Sequence, residues 1–285
     1  AFYESLDTPY KLRTHFHRFL LDVHARRRKH PDVQDPLKFV ADALARKVRV
    51  VCFDEFHVSD IADAMILGRL FKALFEHGVT LVATSNCAPD VLYKDGLQRA
   101  NFLPAIDMLK SNTLVLNVDG GTDYRLRALT RAPLYHFPSD DDADEKLESA
   151  FQEIAPEPGA HNVQLKILGR SLQVKHLADG IAWFEFSELC DGPRSAADYI
   201  ELALEHHTII VSKVPELNEE KEDPARRFVN MVDEFYDRGV KLLIAAAVPL
   251  DQLYTGRKSA FEFKRTLSRL HEMHTHEYLA QPHKP

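Results

Sequence analysis

Cysteine is scarce in this sequence: the 285 residues contain only three. Three cysteines cannot build the disulfide framework of a small secreted protein, which excludes that class. Cys52 lies inside an apolar run, where it fits the role of a small core residue. We therefore expect a protein with reduced thiols and a cytoplasmic location.

Long apolar runs are also missing, since no stretch approaches the roughly 18 residues that a membrane-spanning helix needs. The chain opens with AFYESLDTPY, in which no signal peptide is recognisable. We expect any contact with a membrane to be peripheral.

A strong positive charge is lacking as well. Lysine and arginine number 36 against 43 acidic residues, which gives a net charge of −7 and a pI of about 6.1. This balance gives no overall attraction to nucleic acid, and we expect no nucleic-acid partner. The basic run at 26–29 is typical of a solvated helix face.

What the sequence does contain is an alternation of strand and helix patterns in its first half. Asp35 and Pro36 predict the start of one helix, and Asp60 and Gly78 the two ends of another. Near-continuous apolar runs predict buried strands. These strands are residues 48–53, VTLVATSN and TLVLNVD. Before the last of them, GLQRANFLPAIDMLKSN is predicted to be mostly helix, interrupted by Pro104. We expect an α/β fold, a parallel sheet with helices on both faces.

The amino-acid composition changes near residue 137, where an acidic segment flanked by prolines follows. We expect an α/β core at 1–137, an acidic helical linker at 138–162 and a C-terminal α+β region at 163–285. In the last region, turn signals at Leu168-Gly169 and Asp179-Gly180 predict β-hairpins. A single helix is predicted to close the chain, over SAFEFKRTLSRLHEMHTHEYL.

One pattern recurs after a shift of 161 residues, which places Gly78 on Gly239 and residues 48–53 on 209–214. The recurrence predicts two strand–helix–strand units. Duplication explains it, and so does the packing demand that two similar α/β units share. The second unit carries Pro215 and Glu216 where the first carries two acids.

Those two acids, Asp54 and Glu55, follow five apolar residues in a run of six. An apolar strand that ends in Asp-Glu is the Walker B pattern of P-loop ATPases. At the carboxyl end of a parallel strand, the first acid can hold Mg²⁺ beside nucleotide phosphates. The second acid can polarise the attacking water as a general base. The alternative is two acids that end a strand and cap the next loop.

Two later residues favour the ATPase interpretation. Asn86 ends the next predicted strand, where AAA+ ATPases place a polar residue that contacts the attacking water. Arg99 follows thirteen residues later, at the predicted end of a helix, from which an arginine can reach a neighbouring subunit's γ-phosphate. The alternatives are a turn-capping asparagine and a surface arginine.

Several long stretches together resemble the ZapE family of bacterial cell-division ATPases and its mitochondrial LACE-type relatives. The resemblance covers nearly the whole chain and is carried by CFDEFHVSDIADAMIL, TSNCAPDVLYKDGLQRANFLPAI, DGGTDYRLR, LCDGPRSAADYIELA, RRFVNMVDEFYDRGVKLLI and FEFKRTLSRLHEM. It implies a P-loop, AAA+-like ATPase that uses ATP and Mg²⁺. It also implies a protein partner, the division ring protein FtsZ in the bacterial branch. The action of Arg99 on a neighbouring subunit requires a homo-oligomer.

The chain departs from this family in one respect, because no Gly-x-x-x-x-Gly-Lys-Ser/Thr sequence occurs in it. In relatives that loop opens a helix whose later part is similar to AFYESL. We therefore expect the N-terminal P-loop unit to be missing, ATP binding by this chain alone to be weak or absent, and apolar surface to be exposed near residues 1–20.

Three arginines, Arg194, Arg265 and Arg269, are candidates for a second phosphate sensor, and a structural ion pair is the alternative for each. Fifteen histidines suggest a metal, but no set closes a tetrahedral site around 15 and 17 or around 271, 274 and 276. We therefore do not expect histidine to bind metal. One functional alternative to the ATPase remains, a nucleotide-independent adaptor that binds a protein through the hairpins and the last helix.

Overall fold

The computed structural model describes residues 2–29, 35–58, 60–118 and 124–284. The chain divides into two compact units, Ala1–Val118 and Asp119–Pro285. The predicted division into 1–137, 138–162 and 163–285 stays a prediction. No helix among the described residues is long and apolar enough to cross a membrane.

The first unit contains a parallel sheet in the order β1-β2-β3, accompanied by helices. Two 3₁₀ turns, Pro89–Val91 and Arg99–Asn101, precede its last helix. Its elements are α1 (Phe2–Ser5), β1 (Lys11–His15), α2 (Phe16–Lys29), α3 (Pro36–Ala45), β2 (Val50–Asp54), α4 (Ile61–Glu76), β3 (Thr80–Ala83) and α5 (Leu103–Asn112).

The local signals for α3 and α4 are confirmed. Asp35 accepts a hydrogen bond from the backbone of Lys38 at the start of α3, and Asp60 accepts one from Ala62 at the start of α4. Gly78 follows α4 with a φ of 71°, a conformation that glycine adopts at little cost. These caps satisfy backbone groups that the helices leave unpaired.

The core of the first unit lies on one face of its sheet. Val51 and Phe53 are fully buried there, and Phe16 of α2 meets the ring of Phe53 edge-on at 5.3 Å. Alternation along β2 turns Asp54 away from this core. The sheet therefore delivers Asp54 to its other side, at the carboxyl end of β2.

Two predictions for the first unit are wrong. The segment TLVLNVD is predicted to be a buried strand, but residues 113–118 form no strand within the described part of the chain, and Leu114, Leu116 and Val118 are at least 70% exposed; its last residue lies outside the described residues. β3 was also expected to be buried, but it is an edge strand of the described sheet, and Thr80 and Ala83 are exposed. An apolar run has the same sequence pattern whether or not a neighbouring strand covers it.

Phe2 and Tyr10, within the N-terminal region expected to expose apolar surface, are each more than half exposed.

The helix around Pro104 also differs from expectation. Pro104 does not interrupt a helix that begins at 96; it lies in the first turn of α5, where its missing N–H costs no hydrogen bond. The residues before it form turns and the 3₁₀ segment Arg99–Asn101.

The second unit is built on a six-stranded mixed sheet in the order β4-β9-β8-β7-β6-β5. The pairs β4–β9, β9–β8 and β8–β7 are parallel, and the remaining pairs are antiparallel. Its elements are α6 (Tyr124–Arg131), β4 (Tyr135–His136), α7 (Asp141–Ile154), β5 (Ala160–Ile167), β6 (Arg170–Ala178), β7 (Ile181–Glu185), the π-turn Ser187–Asp191, α8 (Ala196–Glu205), β8 (Thr208–Val214), the 3₁₀ turn Glu219–Lys221, α9 (Glu222–Asp237), β9 (Lys241–Ala246), the 3₁₀ turn Leu250–Gln252, α10 (Ala260–Met273) and α11 (His276–Leu279).

Helices cover both faces of this sheet. Along β7, Ala182 and Phe184 pack into one apolar cluster with α8, α9 and α10, while Ile181 and Trp183 pack into another with α6, α7 and α11. Both predicted hairpin turns are confirmed, at Leu168-Gly169 and at Asp179-Gly180. The predicted terminal helix is divided in two, because Thr275 caps α11 after α10 has ended.

Candidate active site

The site predicted from sequence lies where β2 and β3 end side by side. The parallel register pairs Phe53 with Ala83, and the amide of Thr84 donates to the carbonyl of Phe53 at 3.0 Å. The residues that follow each strand therefore emerge at the same edge of the sheet. In open parallel sheets this edge is where ligands bind.

Glu55 has a left-handed backbone, with a φ of 53°. This conformation is uncommon for a residue with a side chain and costs on the order of 1–3 kcal/mol, so the surroundings must hold it. The Glu55 amide donates to Thr84 Oγ1 at 3.2 Å, and the Phe56 amide donates to the Thr84 carbonyl at 2.7 Å. Ser85 Oγ donates to the Phe56 carbonyl at 2.8 Å. Thr84 and Ser85 thus hold the turn that presents the two acids.

Asp54 ends β2 with a side chain that is 18% exposed. Its Oδ2 accepts a hydrogen bond from Arg13 Nε at 2.8 Å, an ion pair across the sheet. Arg13 reaches it because β1 pairs with β2 in parallel, with His15 opposite Asp54 and Arg13 two residues earlier on the same face. The pair keeps the carboxylate in one place and offsets its charge.

The donor set at this edge fits Mg²⁺. Mg²⁺ binds oxygen ligands and in nucleotide sites takes one or two protein carboxylates, with water and phosphate oxygens completing its shell. Asp54 supplies such a carboxylate at the strand end, and the neighbouring Glu55 supplies a second acid.

Cys52 precedes Asp54 by two residues and is buried. Burial, and after it the Asp54 carboxylate, raise the pKa of the Cys52 thiol above its ordinary value. The thiol therefore stays protonated at neutral pH, which excludes it as a nucleophile and agrees with the predicted structural role.

Asn86 lies two residues beyond Thr84, on the same loop, and is exposed. The loop is shaped by Ser85, whose Oγ accepts a hydrogen bond from the Cys87 amide at 3.3 Å. Asn86 is predicted to end the strand next to β2, but β3 ends at Ala83, so Asn86 lies three residues beyond it. Its role beside the attacking water stays a prediction.

Arg99 is not at the end of a helix, as the sequence had indicated, but begins the 3₁₀ segment Arg99–Asn101. Its Nη2 donates to the carbonyl of Asp90 at 2.6 Å, and Lys110 Nζ contacts the Asp90 carboxylate at the same distance. The Nε of Arg99 is buried, with no hydrogen-bond partner among the described residues. A role toward a neighbouring subunit stays a prediction.

The three candidate sensor arginines all lie in the second unit, where each makes contacts within that unit. Arg194 donates to the carbonyls of Glu188 and Ser171. Arg265 and Arg269 both pair with Asp233. The ion-pair alternative raised from the sequence is thus present for Arg265 and Arg269, and phosphate sensing stays a prediction for all three.

Sequence analysis missed two residues that support this site, Arg13 and Thr84. The alternation along β1 marks Arg13 as pointing to one face, but its contact with Asp54 depends on the register between two strands that are distant in sequence. The sequence places Thr84 among the polar residues that end the predicted strand VTLVATSN. Its hydrogen bond to Glu55 depends on the left-handed turn, for which neither Asp54 nor Glu55 gives a local signal.

Comparison with known proteins identifies the family of the chain. The family model described as AFG1-like ATPase matches residues 1–282. The chain is 46% identical over 282 residues to cell division protein ZapE of Escherichia coli (strain K12), covering 99% of this chain and 75% of that protein. It is 37% identical to lactation elevated protein 1 homolog B of Danio rerio, covering 97% of this chain and 64% of that protein. No solved structure matches it. The chain belongs to the AFG1-like ATPase family.

Proposed function

We propose that the two acids at the end of β2 form the hydrolytic half of an ATPase site, the activity of the family. The observation that carries this assignment is the strained turn at Glu55, held by Thr84 at the carboxyl ends of two parallel strands. Strain of this kind persists only where surrounding contacts enforce it, and it concentrates at functional sites.

Asp54 is the residue that would hold Mg²⁺, with Arg13 fixing its carboxylate. When bound, Mg²⁺ neutralises charge that develops on the phosphate oxygens. Glu55 accepts a proton from the attacking water, and Asn86 orients that water by hydrogen bonding. Arg99 completes the site of a neighbouring copy in a homo-oligomer.

We further propose that hydrolysis is coupled to the remodelling or regulation of a protein partner in the cytoplasm. The ZapE relative is named a cell division protein, which supports a partner in the division machinery. FtsZ is the partner that the family resemblance implies. The net charge of −7 supports a protein partner over nucleic acid.

The test is Glu55→Gln in the natural, full-length protein, measured for hydrolysis, for binding of a labelled ATP analogue and for partner regulation. The amide keeps the size of the side chain and removes the base. We expect hydrolysis to fall about 100-fold or more while the Kd for the analogue stays within about twofold. Unchanged hydrolysis would refute the assignment of Glu55. Partner regulation that persists without hydrolysis would favour the nucleotide-independent adaptor.

A further inference from the structure

A second cluster of chemically active side chains lies in the second unit, in the hairpin of β5 and β6. The two-residue turn at Leu168-Gly169 sets a register in which His161 of β5 is directly opposite His176 of β6. The two rings stack with their centroids 3.6 Å apart and their planes at 29°. The other face of the His176 ring stacks on Phe151 of α7 at 3.7 Å. His176 is therefore fixed between two rings and is only 1% exposed.

The hydrogen bonds of His176 decide which of its nitrogens is available to a ligand. Its Nε2 lies 2.8 Å from the carbonyl oxygen of Pro158. A carbonyl only accepts hydrogen bonds, so Nε2 carries the proton and donates. In the neutral imidazole, Nδ1 then presents a lone pair and not a hydrogen.

That lone pair faces a carboxylate. Nδ1 of His176 lies 3.3 Å from each of the two carboxylate oxygens of Glu148 on α7. A lone pair and a carboxylate repel each other unless a positive charge lies between them. A proton shared between the two oxygens supplies that charge, and so does a metal ion. The separation of 3.3 Å equals the spacing of about 3.3–3.4 Å between two ligands of a tetrahedral ion with bonds of about 2.0–2.1 Å.

His161 is the third member of the set, and because an ion lies in the plane of each imidazole that binds it, the exposed His161 ring turns out of its stack on His176 when it binds. One ligand atom each from Glu148, His161 and His176 lies within 4.8 Å of the other two. Two imidazoles and one carboxylate are the donor set of three-ligand zinc sites, which leave a fourth position for water. A hard ion such as Mg²⁺ would require oxygen ligands, so the imidazoles select a transition metal.

The groups around the cluster orient its members, as neighbouring groups do in metal sites. Histidines that bind metals donate their other N–H to a carbonyl or carboxylate, as His176 does to Pro158. Gln152 Nε2 donates to Glu148 Oε1 at 3.0 Å and so orients the carboxylate. His161 is exposed, which leaves a path by which an ion can enter.

We propose that Glu148, His161 and His176 bind one divalent transition-metal ion of the Zn²⁺ class. The ion ties α7 to the β5–β6 hairpin, the element that directly follows it in the chain. The site involves none of the residues assigned to ATP hydrolysis, so its test does not depend on that assignment. The expectation that histidine does not bind metal rested on the histidines at both ends of the chain, and this pair lies between them.

The test uses the complete protein, purified without a polyhistidine tag and freed of metal with a chelator. Co²⁺ is titrated as a spectroscopic probe, followed by Zn²⁺ in competition with a chromogenic chelator. We expect one ion per chain and the visible absorption of four-coordinate Co²⁺. Glu148→Gln and His161→Gln should each weaken Zn²⁺ binding at least 10-fold. Both alter partly or fully exposed side chains, so the fold should be retained.

Two controls make the result specific. Glu145→Gln changes an exposed acid on α7 outside the cluster, and His271→Gln removes an exposed histidine on α10. Both should bind Zn²⁺ as the unsubstituted protein does. Fluorescence of Trp183, opposite His176 in the β6–β7 pair, reports whether each variant keeps its fold. The proposal is overturned if Zn²⁺ does not bind stoichiometrically, or if the two ligand variants, still folded, bind it as tightly as the controls.

Discussion

Two strand–helix–strand units of this chain are built alike and differ where chemistry would occur. The unit of β2, α4 and β3 and the unit of β8, α9 and β9 both have parallel outer strands and a helix of 16 residues. Both helices are followed by a glycine with a left-handed backbone, at φ 71° for Gly78 and 67° for Gly239. In both, the next residue, Val79 or Val240, donates its amide back into the last turn at 3.0 Å. The shared pattern is one of helix termination and packing.

The strand tips differ. β2 ends in Asp54, with the left-handed residue Glu55 after it, whereas the left-handed residue of β8 is Lys213, within the strand at φ 57°, and Pro215 and Glu216 hold the positions that correspond to the two acids. Glu216 is exposed and accepts a hydrogen bond from Thr255 Oγ1 at 2.7 Å. Proline offers neither a carboxylate nor an amide hydrogen. The same scaffold therefore carries a candidate site in one unit and a surface loop in the other.

The second strands of the two units, β3 and β9, differ in burial as well. β9 lies inside a six-stranded sheet and all six of its residues are buried, whereas β3 is the edge of the described three-stranded sheet. Leu242 and Leu81 hold equivalent positions after the shift of 161, and only Leu242 is fully buried. Truncation of this leucine should therefore lower the free energy of unfolding by different amounts in the two units.

The largest expected effect is that of Leu242→Ala, which should lower the free energy of unfolding of the second unit by about 3 kcal/mol, since it leaves a cavity in a packed core. Leu81→Ala, at a half-buried edge, should cost the first unit about 1 kcal/mol. Urea titration of Trp183 fluorescence reports the second unit, and amide hydrogen exchange in β2 reports the first. Equal losses would show that the two strands are equally buried in solution.

Acid should weaken the second unit. Burial, and then the nearby charges of Arg125, His283, His206 and Lys241, lower the pKa of His207 to about 3. The folded state keeps this histidine neutral, while the unfolded chain protonates it near pH 6.5. Its contribution is therefore complete above pH 6.5 and lost as the pH falls toward 3, at about 1.4 kcal/mol per pH unit, or about 2 kcal/mol at pH 5.

The measurement is urea unfolding followed by Trp183 fluorescence between pH 7 and pH 5. His207→Gln should reduce the pH slope by the share of one histidine, whatever its effect at pH 7. An unchanged slope in this variant would contradict the assignment, because all other titrating groups are common to both proteins.

A smaller effect on stability is expected from a substitution that weakens the turn at the first strand tip. Thr84→Val keeps the shape of the side chain but removes the oxygen that accepts from the Glu55 amide. We expect the first unit to lose about 1 kcal/mol, the net contribution of one hydrogen bond, measured by hydrogen exchange in β2. Thr80→Val, at the exposed other end of β3, serves as the matched control and should change stability by less than about 0.5 kcal/mol. Similar losses of stability in both variants would show that Thr84 has no particular role in holding the turn at Glu55.

The sequence was sufficient for features that depend on neighbouring residues. The caps at Asp35 and Asp60, the glycine after α4 and the two hairpin turns each follow from local backbone chemistry, and each is present. The partners of the candidate site were not predictable in this way, because the contact between Arg13 and Asp54 joins two strands 41 residues apart. The run at 113–118 failed for a related reason, since its apolar pattern carries no information about a neighbouring strand.

The histidine cluster lies between these cases. Once the turn at Leu168-Gly169 is predicted, counting outward from it pairs His161 with His176, so half of the cluster could be derived from the sequence. Glu148 could not be, because its approach depends on how α7 packs on the sheet.

The most direct test of the central claim compares the two tips in one protein. Single-turnover hydrolysis of ATP is measured for the natural full-length protein and for Glu55→Gln and Glu216→Gln, the same substitution at equivalent positions. If the first strand tip alone is catalytic, Glu55→Gln slows turnover about 100-fold or more and Glu216→Gln changes it by less than about twofold. Equal effects of the two substitutions, or a larger effect at Glu216, would contradict that claim.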